Sequence, residues 1–223
     1  MRQAGGLQLR TMLTASALAF SLAQFAHATT ISGNLTVDNA FYAYISASNS
    51  SRGTLVASGN SWPTTFSFGP FALTPGQTYY LQIEGINYGE QGALIADLTL
   101  SDAGFHFANG TQALLTDLTD WSASFNDSNS DPSAQQPWVA PTGGVVSDGA
   151  NGVSPWGTRP GISGSALWID AATNGLGTCQ NCTVDFSTVI TPNAVGVPEP
   201  GTLGLLLVGL AGVGLIRYRR RSA

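Results

Sequence analysis

The feature that most constrains the fold is a rhythm of short β-rich segments set between turn clusters. No long stretch repeats apolar residues at the 3.6-residue period of a helix. Residues 78–84 show the rhythm best. Tyr79, Leu81 and Ile83 fall on one side of an extended chain, and Tyr80, Gln82 and Glu84 on the other. That is the alternation of a strand with one face on a core and one in solvent. Just ahead of it, Thr74-Pro75-Gly76-Gln77 places Pro and Gly in type II turn order. The same reading predicts strands over 31–37, 41–47, 54–58, 64–68, 78–87, 93–101, 121–125, 165–171 and 183–190. Only 9% of residues are charged, so most of these segments have apolar surface to bury. The expected class is all-β, a β-sandwich.

One stretch breaks the rhythm. Residues 126–161 are rich in Asn, Asp, Gly and Pro and carry two tryptophans, Trp138 and Trp156. They are expected as a long loop pinned to the sandwich by those two rings. The acids and amides of 126–131 lack the regular spacing of a calcium loop, and no metal is assigned there.

Both ends of the chain read as addresses. Residues 1–28 have the layout of a secretory signal peptide. Arg2 and Arg10 are basic, 12–25 are apolar, and Ala26-His27-Ala28 is an A-x-A cleavage site for signal peptidase. At the other end, Pro198, Glu199 and Pro200 hold an extended kink ahead of an apolar run over 203–216. As a helix that run rises about 21 Å, short of the roughly 30 Å hydrocarbon core. Arg217, Arg219, Arg220 and Arg221 follow as a stop signal on the cytoplasmic side. The expected organisation is a signal peptide over 1–28, a β-sandwich body over 29–196, and a sorting and membrane segment over 197–223. The body keeps Arg52 and Arg159 against twelve carboxylates, a net charge of −10, with no lysine. Such a surface excludes nucleic acid as a partner.

The tail residues Pro198-Glu199-Pro200, the apolar run and the arginine cluster resemble the PEP-CTERM sorting signal of Gram-negative bacteria, matching its three parts in order. The resemblance implies export across the inner membrane, a transient membrane anchor, and processing by an exosortase that cuts near the triplet. Pro198, Glu199 and Pro200 are then substrate residues.

Dispersed body segments resemble an exported galactose-binding-like β-sandwich, which implies a jelly-roll-like fold: Asp38-Asn39-Ala40-Phe41-Tyr42-Ala43-Tyr44, Ser61-Trp62, residues 73–84 and 92–98, Pro155-Trp156-Gly157, and Ala166-Leu167-Trp168-Ile169. The sequence departs from that group at 47–53, where a longer segment replaces a short Asn-Gly turn. Domains of this kind either bind carbohydrate or act as structural modules. Sugar recognition requires an aromatic face and planar polar groups. Trp62 and Trp138 are candidates for the first, with Trp121 and Trp156 behind them. Asp38 and Asn39 are candidates for the second, followed by Asn87 and Glu90. Asp38-Asn39 reads first as a turn or cap pair fixing strand entry, and only second as a sugar clamp.

Catalytic chemistry finds little support. Cys179 and Cys182 form the only cysteine pair, and in an exported chain they read as a local disulfide at a hairpin tip rather than a redox centre. They supply too few ligands for zinc. His106 is the body's one imidazole, and no G-x-S-x-G elbow accompanies it. Asp97, Asp102, Asp117 and Asp120 are available as acids, but nearness in sequence does not place them across a cleft. The expectation is a non-enzymatic cell-surface or matrix protein without cofactor, associated with exopolysaccharide. The alternatives are a carbohydrate-binding module and, behind it, a secreted hydrolase.

Overall fold

The computed structural model describes residues 28–126 and 135–194. The signal-peptide, sorting-triplet and apolar-tail expectations therefore lie outside the described residues, Ala28 excepted. Among the described residues, no helix is long and apolar enough to cross a membrane.

The described residues form two six-stranded antiparallel sheets packed over a shared core, a β-sandwich. The strands are β1 (Thr30–Val37), β2 (Ala40–Ser46), β3 (Thr54–Gly59), β4 (Phe66–Ala72), β5 (Tyr79–Asn87) and β6 (Leu94–Leu100). They continue with β7 (Phe105–Phe107), β8 (Ala113–Leu115), β9 (Ser122–Phe125), β10 (Val145–Ala150), β11 (Leu167–Ala171) and β12 (Cys182–Pro192). A short 3-10 turn covers Leu176–Thr178. The first sheet runs β10-β11-β6-β1-β4, with β8 beside β11 on the edge of β6. The second runs β3-β2-β5-β12-β7, with β9 beside β7 on the edge of β12. The chain changes sheet at most connections, so few neighbouring strands are hairpins.

Alternation fills the core. Ile31, Leu35 and Val37 from β1 meet Leu94, Ala96, Leu98 and Leu100 from β6. Phe41, Ala43 and Ile45 from β2, Leu81 and Ile83 from β5, and Val184, Phe186 and Ile190 from β12 close from the second sheet. Each large side chain buried this way contributes about 1.5–3 kcal/mol. Gly33 interrupts β1 because a Cβ there would lie 2.6 Å from Leu98 and 2.9 Å from Phe68. The expected type II turn forms, with Gly76 at φ +80° and the Gln77 amide donating to the Thr74 carbonyl.

Three expectations need correction. The strand expected over 64–68 lies instead over Phe66–Ala72 as β4, running through Pro70. It is the edge strand of its sheet, where a missing N–H faces no neighbour. Gln82 and Glu84 do not face solvent, since both are fully buried. The described part of the 126–161 stretch, residues 126 and 135–161, is not a loose loop either. It contains β10, and its flanks clad both sheets. Residues 135–142 lie over the outer face of the second sheet, tied by the Gln136 and Val139 amides to Glu84 and Asp185. Residues 151–166 cover the first, where Trp156, Ile162 and Ala166 join Ala93, Ile95 and Trp168 in a second apolar cluster.

Candidate functional site

The four candidate sugar residues separate into two places. Asp38 and Asn39 form the β1–β2 turn, joined by a cis peptide bond, with their backbone amides on the carbonyls of Ala93 and Ile86. Asp38 is 6% exposed, and its Oδ2 accepts the Trp156 indole N–H at 2.9 Å. Burial pushes this carboxyl above its ordinary range, and the indole bond opposes the shift. Asn39 donates to the other oxygen of Asp38 at 2.6 Å and accepts the Tyr88 amide at 2.7 Å. Trp62 packs against the second apolar cluster, and the Arg159 guanidinium lies over its ring at 5.4 Å from the centroid. Arg159 also donates to the Trp156 and Pro63 carbonyls, both at 2.6 Å. Trp156 stacks on Trp168 at 4.6 Å. The rings and carboxylate expected to hold a sugar are thus engaged within the fold.

Trp138 sits on the opposite sheet. Its indole N–H donates to the Asn49 carbonyl at 2.8 Å, tying 135–142 to the β2–β3 loop. Beneath that segment is a polar network that the sequence reading passed over. Glu84 and Asp185 face each other across the β5–β12 ladder, both fully buried. Arg52 donates to Glu84 at 2.6 Å and to the Gln136 carbonyl, and its guanidinium lies 5.0 Å from the centre of the Tyr44 ring. One cation serves two carboxyls. Burial is the largest influence on Asp185 and raises its pKa to about 8, with Glu84 adding to the rise and the Val139 and Asn126 bonds opposing it. Glu84 is also raised by burial, against the Gln136 amide and Arg52. Burial lifts the Tyr44 hydroxyl to about 12. The network holds cladding to sheet.

The disulfide end carries a cavity of about 290 Å³. Cys179 and Cys182 are bonded, with Cα atoms 6.0 Å apart. Asp170 organises the loop ahead of them: its carboxylate accepts the amides of Ala171 at 2.8 Å, Leu176 at 2.6 Å and Gly177 at 2.7 Å. Asn87 completes the clamp by donating to the Leu176 and Cys179 carbonyls. Asp148 enters the same cavity from β10. It is the extra residue where the β10–β11 register slips between Ser147 and Gly149, and such a bulge re-aims a side chain. Partial burial and the neighbouring Asp170 push Asp148 up to about 6. These carboxyls can accept bonds from a hydroxylated or cationic ligand. Only the bulge reveals that they converge, and no sequence signal marks it.

A larger groove, about 380 Å³, opens where β2, β3 and β5 end, and Tyr42 and Tyr88 both line it. The candidate catalytic residues lie elsewhere among the described residues. His106 Nδ1 meets Asn193 Oδ1 at 2.5 Å, an amide where a triad would place an acid. Asp102 binds Thr29 at 2.5 Å and the Gly104 amide at 2.8 Å, and Asp117 caps the turn at Thr119 and Asp120. Asp97 accepts the Ser163 amide at 3.0 Å. Among the described residues, no three His, Cys, Asp or Glu side chains gather as metal ligands.

No curated protein and no solved structure matches the chain. One family does, over residues 196–221: the PEP-CTERM protein-sorting motif. That interval contains the Pro-Glu-Pro triplet, the apolar run and the arginines through Arg221. The chain therefore carries a PEP-CTERM sorting motif, the signal of an exported protein directed to an exosortase.

Proposed function

We propose that the chain is a non-catalytic protein of the Gram-negative cell surface or extracellular matrix, whose β-sandwich body associates with exopolysaccharide. The single observation that carries the reading is the sorting motif at 196–221. In this reading signal peptidase cuts after Ala28 and the body spans 29–196. Residues 197–223 anchor the chain in the membrane until an exosortase acts near Pro198, Glu199 and Pro200. The arginines Arg217, Arg219, Arg220 and Arg221 hold the tail's end in the cytoplasm. Two sheets clad on both outer faces suit a stable module exposed outside the cell, and the body's resemblance to galactose-binding-like jelly rolls agrees with that architecture. The amide partner of His106 supports a non-catalytic role over a hydrolase. A second reading, a module with specific glycan affinity, is favoured by the tyrosine-lined groove.

Deletion of Pro198–Pro200 tests the sorting reading. The variant is expected to accumulate uncut in the membrane fraction, while the parent chain yields a mature species beginning at Thr29 by intact mass. A deletion variant of normal mature mass and normal location overturns it.

A further inference from the structure

The end of β12 is fastened at one corner of the body. β12 pairs with β5 as far as Ile190, opposite Tyr79. Beyond that point Thr191 and Pro192 pair with His106 and Phe105 of β7. Asn193 then bonds to the same short segment. Its backbone amide donates to the Gly104 carbonyl at 2.9 Å, and its side-chain amide donates to the Ala103 carbonyl at 2.7 Å. That leaves Oδ1 as the acceptor, so the His106 Nδ1–H donates to it at 2.5 Å. The neutral Nδ1–H tautomer and the imidazolium both carry that proton, so the bond survives a change of protonation.

The segment that Asn193 grips is itself tied to the start of the body. The Thr29 hydroxyl donates to Asp102 at 2.5 Å, and Asp102 also accepts the Gly104 amide at 2.8 Å. The Ser101 amide donates to the Thr30 carbonyl, and the Thr30 amide donates to the Ser101 hydroxyl, both at 2.9 Å. Gly104 must lack a side chain, because a Cβ would fall 2.2 Å from the Thr29 hydroxyl. Residues 101–106 are therefore an anchorage shared by β1 and β12.

Chain length turns this anchorage into a constraint. Four residues, 194–197, separate Asn193 from Pro198 of the matched motif. Five residue steps reach at most about 18 Å, even fully extended. A body of this size has a radius of gyration of about 15 Å. An enzyme that grips the triplet is thus brought against the body's surface around residues 101–106. Release of 191–193 from β7 adds three residues, about 10 Å of reach, while Ile190 stays paired with Tyr79. Thr191 and Pro192 have β7 as their one strand neighbour among the described residues, so this stretch opens at less cost than the rest of β12.

Resting on the sorting reading above, we infer that Asn193 and His106 are positioning residues for exosortase processing. Their clasp sets the reach of the sorting triplet, and the cut draws on the population in which 191–193 has left β7. Where opening and closing are fast relative to cleavage, the rate of cutting follows that population. The surface around 101–106 is then the one that meets the enzyme.

The test is pulse–chase of the full chain in cells that process the parent, reading mature against uncut species by mass. His106→Ala should speed processing about fivefold, the change in open population for one lost hydrogen bond. Asn193→Ala removes two side-chain bonds and should act at least as strongly. A flexible Gly-Ser insertion of about six residues after Ala194 should speed the parent likewise and erase its difference from both variants. The insertion leaves every bond of the clasp intact, so it tests the reach even where a substitution unfolds the body. Asn87→Ala, at the opposite end of β12 where Asn87 pairs with Cys182, should be processed like the parent. Clasp variants cut at the parent's rate or more slowly overturn the inference. So does equal acceleration by Asn87→Ala, or an insertion that leaves the difference standing. Deletion of Pro198–Pro200 runs alongside. If that chain is cut normally, the sorting reading falls and the clasp with it; clasp variants that fail beside an uncut deletion chain overturn the clasp alone.

Discussion

Thr188 occupies an inward-facing place on β12, in the series Val184, Phe186, Thr188, Ile190, and pairs with Leu81 across the ladder. Its hydroxyl is buried and has no hydrogen-bond partner. A polar group left dry in this way costs stability that an apolar residue of the same shape would recover. Thr188→Val is therefore expected to raise unfolding stability by about 1 kcal/mol, read as a higher urea midpoint with unchanged slope. An unchanged or lower midpoint would mean that the hydroxyl has found a partner. Asp170 is the opposite case. Its carboxylate is equally hidden, but three backbone amides surround it, and Gly175 must lack a side chain because a Cβ would fall 2.2 Å from Asp170 Oδ2. Burial still holds this carboxyl above its ordinary range, although the amides pull it down.

At the scale of elements, the loop from β11 to β12 is held from both sides, by Asp170 beneath its amides and by Asn87 beneath its carbonyls. The Asn87 side chain donates to the carbonyls of Leu176 at 2.6 Å, Cys179 at 2.9 Å and Glu90 at 3.2 Å. Asn87→Ala should cost about 2–3 kcal/mol and speed hydrogen exchange at amides 176–178. Full protection at those amides would assign the loop's order to the disulfide instead. Strands with clear alternation, such as β5 and β6, were legible in the sequence almost to the residue. β8 and β10 were not, for different reasons. β8 is three residues long and has no period to show, while the bulge at Asp148 breaks the period of β10. Of the candidate site, the sequence showed which aromatic and polar side chains were available but not what each would touch. Arg159 lies over the Trp62 ring, and the indole N–H groups of Trp138 and Trp156 donate to Asn49 and Asp38. Tyr42 and Tyr88 become neighbours of one groove only through the Ala40–Ile86 pairing, which is a long-range fact.

Over the whole molecule, the buried acids act together. Asp38, Glu84, Asp170 and Asp185 are all shifted upward, with burial the leading cause in each. A carboxyl with a raised folded-state pKa binds its proton more tightly in the native state than in the unfolded chain. Its stabilising contribution is full below the unfolded value, near 4, and is lost as pH rises through the folded one, about 8 for Asp185. The body should thus melt at a higher temperature at pH 5 than at pH 9. Asp185→Asn should flatten much of that slope, since an amide keeps the Val139 contact without a charge to bury. A slope equally steep in the variant would assign it to the other raised carboxyls, Asp148 among them.

The place of β12 also sets a timetable. Among the described residues it is the last strand, yet it lies inside the second sheet, between β5 and the pair β7 and β9. Until residues 182–192 emerge, β5 lacks one neighbour, and β7 and β9 lack the one strand they join among the described residues. A chain made amino end first therefore cannot complete its second sheet partway through synthesis. Closure waits for the stretch immediately ahead of the sorting motif, and the long-range pairing that delays it leaves the body's completion to the end of chain growth.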